Sequence, residues 1–214
     1  MTDTLDCQGL AKMLLGAVEQ IRANHKRLSE LDSHGGDGDH GTTMLRAMEN
    51  LKKAVDASSC DSPGGLLGEI AWAVMGTDGG ATGPLFGSFF MGMQEGAGDK
   101  ASCDAASLAA MFQTGLDTLC KQTQAQVGDK TIVDALVPAV TAMEQAAAAG
   151  GDIAAVLQRG AEAAAAGAES TKNIEARFGR AKNAGEKSLG HEDPGAVSAS
   201  LLFKGFLEGV QQHG

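Results

Sequence analysis

The chain has 214 residues, enough to bury a substantial core without disulfide bonds, and we predict one domain over residues 1–214. Its formal net charge of −10 argues against broad contact with nucleic acid or an anionic membrane, because both require an excess of lysine and arginine. The amino-terminal sequence MTDTLDCQ has no signal-peptide pattern, and no apolar run approaches the roughly 20 residues that span a bilayer.

The four cysteines are widely scattered and form no CxxC pair. This distribution predicts reduced thiols, buried or free, and gives a zinc site little support. Together with the missing signal pattern it predicts a cytoplasmic protein.

Apolar residues recur at the spacing of an α-helix along most of the chain, whereas alternating strand patterns are absent. Eight helices are predicted, and their apolar faces contain, in chain order, Leu10 to Leu31, Met44 to Val55, Leu66 to Val74, Phe86 to Met93, Leu108 to Leu119, Ile132 to Met143, an alanine-rich stretch after residues 150–152, and Val197 to Phe206. Ser62-Pro63 and Asp193-Pro194 are typical of helix starts. Mostly short links between helices predict an all-α antiparallel bundle.

Glycines collect between the helices, at residues 35–41, 76–87, 128–131 and 172–195. The last of these stretches carries five basic side chains between residues 172 and 190, against two acidic ones. A long basic connection in an acidic protein indicates a functional loop, because long ordered loops in compact domains are seldom plain linkers.

Residues 32–43 (DSHGGDGDHGTT) place three carboxylates in a glycine-rich turn before a predicted helix. The stretch nearly matches the phosphate-loop pattern G-x-x-x-x-G-K-[ST], but Thr42 stands where the lysine must be and no hydrophobic strand precedes it. It also fails as a calcium loop of EF-hand type, because position 12 is Met48 or Thr43 instead of glutamate.

Three carboxylates held a few ångströms apart would repel by roughly 1–4 kcal/mol per pair. A divalent cation reverses that cost, and a site with few carboxylate ligands suits Mg²⁺, which completes its coordination with water and substrate phosphates. The turn therefore indicates a Mg²⁺–phosphate site, in which the amides of Gly41, Thr42 and Thr43 at a helix N-terminus face the phosphates. The alternative is a set of solvated turn acids.

Five motifs in order resemble the nucleotide-binding L subunit of dihydroxyacetone kinases, a family that also forms the C-terminal domain of single-chain dihydroxyacetone kinases. The motifs are L-D-x-x-x-G-D-G-D-H-G-x-x-M (31–44), GGATGPLFG (79–87), GDKTIVDAL (128–136), ESTKNIEARFGRA (169–181) and GHEDPGA (190–196). The resemblance implies a barrel of eight antiparallel helices with Mg-nucleotide, ADP or ATP, bound by loops at one end.

The resemblance also implies roles for individual residues. Two Mg²⁺ ions would be held by Asp32, Asp37 and Asp39. Phosphate would be contacted by a first turn of His40, Gly41, Thr42 and Thr43 and by a second turn of Gly80, Ala81 and Thr82. The base and ribose would lie near Gly128 and Ile132, and a lid-like loop would contain Arg180, Asp193, Pro194 and Gly195. The family usually has a larger apolar residue at Gly35, and His34 has no role there.

Several residues keep a structural interpretation beside the functional one. We interpret His40 as a capping or supporting histidine and not as a phosphorylated one, and Arg180 as a catalytic phosphate ligand and not as a surface charge. Lys130 is either a surface or a phosphate-facing residue. Thr82 caps the fourth helix, contacts phosphate, or does both. Trp72 is interpreted as a packing residue.

The family implies a kinase subunit that passes a phosphoryl group from nucleotide to dihydroxyacetone or a similar ketose, which a histidine of a separate K subunit holds. A free-standing chain favours the phosphoenolpyruvate-linked type, in which a phosphohistidine protein of the phosphotransferase system rephosphorylates bound ADP in place. The alternatives are an ATP-dependent kinase, for example of erythrulose, and a non-catalytic Mg-nucleotide sensor that binds a transcription regulator. The sequence does not separate them.

Overall fold

Each stretch of apolar residues at helical spacing forms an α-helix in the computed structural model, which describes residues 4–212. The α-helices of this range are α1 (Cys7–Asp32), α2 (His40–Ala57), α3 (Pro63–Met75), α4 (Thr82–Ala97), α5 (Ala105–Cys120), α6 (Val133–Ala148), α7 (Ile153–Ser170) and α8 (Pro194–Gln211). The prediction of an all-α chain with eight helices is confirmed, and α3 and α8 begin at the predicted Ser-Pro and Asp-Pro pairs.

The eight helices close into a ring. Each helix packs against the next one in the chain, and α8 packs against α1. Because consecutive neighbours run antiparallel, α2, α4, α6 and α8 begin at one end of the barrel and the other four begin at the opposite end. Phenylalanine rings pack together in the core with centroid distances of 5.3–5.9 Å, and they belong to Phe89, Phe112, Phe203 and Phe206.

The two ends of the barrel differ in how their helix starts are capped. The starts of α1, α3, α5 and α7 are capped by side chains at 2.8–3.1 Å, from Asp6, Ser62, Asp104 and Asp152. At the other end Asp193 caps α8, whereas the residues preceding α2, α4 and α6 (Asp39, Ala81 and Ile132) provide no side-chain cap. A helix start leaves backbone amides without intrahelical partners, so this second end is suited to an anionic ligand.

A segment without α-helix connects α7 to α8 and contains two stretches of 3-10 helix, Thr171–Asn173 and Arg180–Ser188. We call residues 172–190 the lid segment. Its two sides are joined by Gly190 N, which donates to Lys172 O at 2.8 Å, and by Ala176 N, which donates to Ser188 Oγ at 3.0 Å. The predicted basic connection is therefore an ordered, cross-linked loop.

The prediction of reduced thiols is wrong for one pair, because Cys7 and Cys60 form a disulfide. Their Cα atoms lie 5.6 Å apart, since the start of α1 lies beside the connection from α2 to α3. A pair 53 positions apart leaves no local spacing signal in the sequence. A short antiparallel pair of strands, β1 (Leu5–Asp6) and β2 (Ser102–Cys103), was likewise too short to produce an alternating pattern.

The interpretation of Trp72 as a packing residue is also wrong, because 68% of it is exposed. It lies on the outer face of α3, three residues after the exposed Glu69. Since α3 is apolar on nearly all sides, its sequence does not reveal which face is turned outward.

Among residues 4–212, no helix is both long enough and apolar enough to cross a membrane.

Candidate functional site

A cavity of about 380 Å³ opens at the barrel end where α2, α4, α6 and α8 begin. Its wall is built from residues 32–40, 79–82, 130–133 and 191–195, together with the middle of the lid segment. Four loops that are distant in the chain therefore converge on one space, at the end of the barrel that has the uncapped helix starts.

The three carboxylates of residues 32–39, which we call the acidic turn, come together at this cavity. Asp32 ends α1 and Asp39 directly precedes α2. One carboxylate oxygen from each of Asp32, Asp37 and Asp39 lies within 4.8 Å of the other two. The turn closes through Gly35 N and Gly36 N, which donate to Asp32 O at 3.2 and 2.6 Å. A tight local turn thus produces a cluster of three oxygen donors.

Glycine at position 36 leaves room for the observed position of the Asp32 side chain. A Cβ at Gly36 would lie 2.2 Å from Asp32 Oδ1. Asp32 Oδ2 accepts a 3.3 Å hydrogen bond from His40 N, while the Asp39 carboxylate forms no cap with α2. The cluster therefore retains carboxylate oxygens that the fold does not use, and an all-oxygen donor set of this kind fits Mg²⁺.

Two helix starts flank the acidic turn. Thr43 is 1% exposed in the first turn of α2, and a Cβ at Gly79 would lie 2.7 Å from Thr43 Oγ1, so glycine there lets the second turn approach the first. Gly80 has a left-handed φ of 54°, and Thr82 begins α4 with 8% of its surface exposed to the cavity side. The amides of both helix starts are directed toward the same end of the barrel.

His40, the first residue of α2, is held by α8. Its Nε2 lies 2.7 Å from Ser198 Oγ, and the Ser198 hydroxyl donates to Pro194 O at 2.9 Å. Because that hydroxyl proton points to Pro194, Nε2–H donates to Ser198 Oγ. Burial lowers the pKa of His40, against the opposing effect of Asp32. His40 is therefore a neutral, supported imidazole at neutral pH.

Residues 128–131 form a fixed loop before α6. Asp134, in the first turn of α6, accepts from Gly128 N at 2.6 Å and from Thr131 N at 2.7 Å through its two carboxylate oxygens. Ile132 lies in the cavity wall and is 6% exposed. A Cβ at Gly195 would lie 3.5 Å from the Ile132 Cβ, so the starts of α6 and α8 meet here.

Lys130 is buried, with 4% of its surface exposed, so the surface interpretation is wrong. Its Nζ donates to Thr171 O and to His191 O, both at 2.6 Å. Burial lowers the pKa of Lys130, and the nearby carboxylates of Asp193 and Asp134 oppose that shift.

The lid segment contacts the acidic turn at its tip. Arg180 forms an ion pair with Asp37, although most of the arginine side chain is exposed. The next residue, Ala181, packs against Gly35, where an added Cβ would lie 3.0 Å from the Ala181 Cβ. Arg180 thus lies beside the carboxylate cluster at the cavity.

The residues just after the lid segment are held by the end of α1. The rings of His34 and His191 lie edge to face with centroids 3.7 Å apart, and Arg27 pairs with Glu192 at 2.7 Å. His34 and Gly35, which have no assigned role in the sequence, therefore both contact the segment that leads from α7 to α8.

Asp193 is half-buried and caps α8. Its Oδ2 accepts from Ala196 N at 2.7 Å, and its own amide donates to Thr171 Oγ1 at 2.8 Å. Burial, reinforced by Asp134, raises the pKa of Asp193 to about 7 in spite of the amide of Ala196 and the charge of Lys130.

Most of the predicted site residues share one cavity. The wall includes Asp32, Asp37, Asp39, His40, Gly80, Ala81, Thr82, Ile132, Arg180, Asp193, Pro194 and Gly195. Outside the wall lie Gly41, Thr42, Thr43 and Gly128. Gly41 is packed against α1, where a Cβ would lie 1.8 Å from His25 O, and Thr42 is exposed. Sequence reasoning missed the contacts of Lys130 and His191, for which the GDKT and GHEDPGA motifs were the available signals.

An eight-helix barrel with a carboxylate cluster, helix starts and an ordered, cation-bearing loop at one end defines an all-helical class of candidate Mg-nucleotide proteins. A family model described as DAK2 domain matches residues 34–208. The ADP-binding subunit of phosphoenolpyruvate-dependent dihydroxyacetone kinase 1 of Listeria innocua is 35% identical over 190 residues, which are 89% of this chain and 90% of that protein. The ADP-binding subunit of the PTS-dependent dihydroxyacetone kinase of Lactococcus lactis is 35% identical over 192 residues, 90% of this chain and 92% of that one.

Among solved structures, the dihydroxyacetone kinase from C. freundii in complex with AMP-PNP and Mg²⁺ matches with a TM-score of 0.73 at 26% identity. The match covers 93% of this chain and 33% of that chain. The chain belongs to the DAK2 domain family, and the resemblance found in the sequence is confirmed.

Proposed function

We propose that this chain is the Mg-nucleotide-binding phosphotransferase subunit of a dihydroxyacetone kinase. It passes a phosphoryl group from bound nucleotide to dihydroxyacetone, or to a similar small ketose, held on a separate K subunit. Two relatives that align with about nine-tenths of this chain are named as ADP-binding subunits of such kinases. We propose that residues 1–214 form one domain and that this domain works in the cytoplasm.

The observation that carries the proposal is the cluster of Asp32, Asp37 and Asp39 beside two helix starts in one cavity. Carboxylates alone would repel a nucleotide, and helix starts alone would bind any anion. Their combination favours a ligand with both a divalent cation and phosphates, which is the composition of a Mg-nucleotide.

The three aspartates are proposed to hold two Mg²⁺ ions. The charge of bound Mg²⁺ would neutralise that of the phosphates. The phosphate chain would be oriented by backbone amides and hydroxyls at the starts of α2 and α4. Of the residues proposed for this role, His40, Gly80, Ala81 and Thr82 lie in the cavity wall, whereas Gly41, Thr42 and Thr43 lie outside it in the first turn of α2. Ile132 would lie near the base and ribose, with Gly128 in the adjoining loop, and Asp193, Pro194 and Gly195 would belong with Arg180 to the loop that closes over the nucleotide.

Arg180 is the proposed catalytic residue. Phosphoryl transfer requires alignment and charge neutralisation more than covalent chemistry from the protein. The guanidinium already lies at the cavity beside Asp37, so it can reach the phosphates next to the carboxylate cluster. The ketose is bound by a histidine of the K subunit, so this chain supplies no sugar-binding nucleophile.

We propose the phosphoenolpyruvate-linked version of the reaction, in which ADP stays in the cavity and is rephosphorylated in place. The donor would be a phosphohistidine-carrying protein of the phosphotransferase system. The Lactococcus lactis relative, named as PTS-dependent, supports this choice. An ATP-dependent kinase and a non-catalytic Mg-nucleotide sensor are the alternatives.

One experiment separates these functions. Purified protein is first weighed by native mass spectrometry for retained nucleotide and Mg²⁺, and is then incubated with K subunit, dihydroxyacetone and either ATP or the phosphoenolpyruvate-linked donor proteins. We expect retained ADP and repeated turnovers only with the phosphoenolpyruvate-linked donors. Repeated turnovers from ATP alone would establish the ATP-dependent version, and no ketose phosphate with either donor would overturn the kinase proposal.

A further inference from the structure

A single buried ammonium group holds both ends of the lid segment. Lys130 Nζ donates at 2.6 Å to Thr171 O, just before residue 172, and at 2.6 Å to His191 O, just after residue 190. Hydrogen bonds from a charged donor are shorter and stronger than those between neutral groups. Burying an ammonium group carries a desolvation cost that an apolar side chain would avoid. The two hydrogen bonds to the lid segment therefore account for a lysine at this buried position.

The loop that carries Lys130 is fixed to the barrel and contacts the lid segment at one more point. Asp134 anchors the loop through the amides of Gly128 and Thr131. Asp129 O accepts from Arg177 N at 3.2 Å, and the Asp129 carboxylate lies 3.4 Å from Arg177 Nη1. The loop before α6, which Asp134 anchors, thus contacts both ends and one side of the lid segment.

The fixed points continue toward Arg180 through the lid segment itself. Lys172 O and Gly190 N join its two sides near the base, and Ala176 N and Ser188 Oγ join them farther along. Arg180 lies between the residues of this second link and ends beside Asp37. A continuous chain of contacts therefore runs from α6 through Lys130 to the arginine at the cavity.

We propose that Lys130 is a positioning residue for phosphoryl transfer, which keeps Arg180 at the cavity by fastening both ends of the lid segment to the start of α6. The inference rests on the proposed function, because it needs Arg180 to act on the phosphates. The Lys130 ammonium binds two backbone carbonyls, so its effect on the reaction passes through Arg180.

A double-mutant cycle tests this inference. Lys130→Met, Arg180→Ala and the double variant are assayed for ketose phosphorylation with K subunit and donor, and for the dissociation rate of a fluorescent ADP analogue with Mg²⁺. We expect Lys130→Met to lower turnover about tenfold in the native background but less than about twofold in the Arg180→Ala background, because residues that act as a unit are not additive. Lys187→Met, an exposed lysine of the same lid segment, is the matched control and should keep native turnover.

Effects that multiply in the double variant would overturn the inference, because they would mean that Lys130 acts independently of Arg180. If the native protein binds no Mg-ADP, the proposed function fails instead, so the two failures are distinguishable.

Should Lys130→Met lose the native helical circular dichroism, Asp134→Asn takes its place in the cycle, because it removes one of the two acceptors that fix the Lys130 loop. The same coupling to Arg180 is expected, and additivity would again overturn the inference.

Discussion

Replacing Gly35 by alanine perturbs the contact between the acidic turn and the lid segment at one atom. The new Cβ would lie 3.0 Å from the Ala181 Cβ and 3.1 Å from the Ala181 Cα. Non-bonded carbon atoms pack at about 3.5–4.0 Å, so the lid segment would have to retreat by roughly 0.5 Å at this point. Since Ala181 directly follows Arg180, the retreat moves the guanidinium away from Asp37.

The size of the effect follows from the cost of overpacking. Extra methyl groups in packed sites cost typically about 1–3 kcal/mol, and the lower value applies here because the lid tip is exposed and can move. About 1 kcal/mol corresponds to about fivefold in the equilibrium between a docked and a retreated lid segment. We therefore expect Mg-ADP to dissociate about fivefold faster from Gly35→Ala, because dissociation follows the retreated fraction.

Stopped-flow dissociation of a fluorescent ADP analogue measures this directly. Combining Gly35→Ala with Ala181→Gly removes the 3.0 Å contact but leaves the 3.1 Å contact with the Cα of residue 181. The double variant should therefore recover part of the native retention, and Ala181→Gly alone serves as the control. Unchanged dissociation from a folded Gly35→Ala variant, or no recovery in the double variant, would refute the docking role of this contact.

Other perturbations reach separate parts of the molecule. The raised pKa of Asp193 gives stability that is full below about pH 4 and is lost as the pH rises through about 7. In denaturant titrations at pH 8, Asp193→Asn should therefore have a free energy of unfolding higher than that of the native protein by at most about 4 kcal/mol, with a smaller gain at pH 5. An equal gain at both pH values would contradict this. Reducing the Cys7–Cys60 disulfide, which closes a loop of 53 residues, should lower the free energy of unfolding by about 4 kcal/mol in urea titrations. Mg-ADP affinity should not change on reduction, because roughly 37 Å of α1 separates Cys7 from the acidic turn; weaker binding by the folded, reduced protein would count against this. Ser198→Ala removes the acceptor of the His40 imidazole N–H and should weaken Mg-ADP binding about threefold to tenfold in calorimetric titrations, whereas native affinity would exclude a supporting role.

The helices were predictable because their signals are local. Periodic apolar residues, Ser62-Pro63 and Asp193-Pro194 act within one or two turns, and the structure follows them. The failures concern surfaces without periodicity or pairs without local spacing, namely the outer face of α3 with Trp72 and the Cys7–Cys60 bond.

The same distinction applies to the site. The acidic turn was predictable because its three carboxylates lie within eight residues of sequence, and repulsion among them calls for a cation. The contacts of Lys130 with Thr171 and His191 join residues 41 and 61 positions apart, and that of Gly35 with Ala181 is also long-range. A motif such as GDKT indicates that a lysine matters, but only the folded barrel shows which carbonyls it meets.

Mg²⁺-dependent binding of ADP decides whether the acidic turn is a metal site. Calorimetric titration measures the affinity for ADP of the native protein and of two variants. Asp39→Asn changes a carboxylate of the acidic turn that does not cap α2. Asp99→Asn, the control, changes an exposed carboxylate beyond the end of α4, at the opposite end of the barrel. We expect Mg²⁺-dependent binding of ADP that weakens at least about tenfold in Asp39→Asn and is unchanged in Asp99→Asn. Native Mg-ADP affinity in a folded Asp39→Asn variant would contradict it.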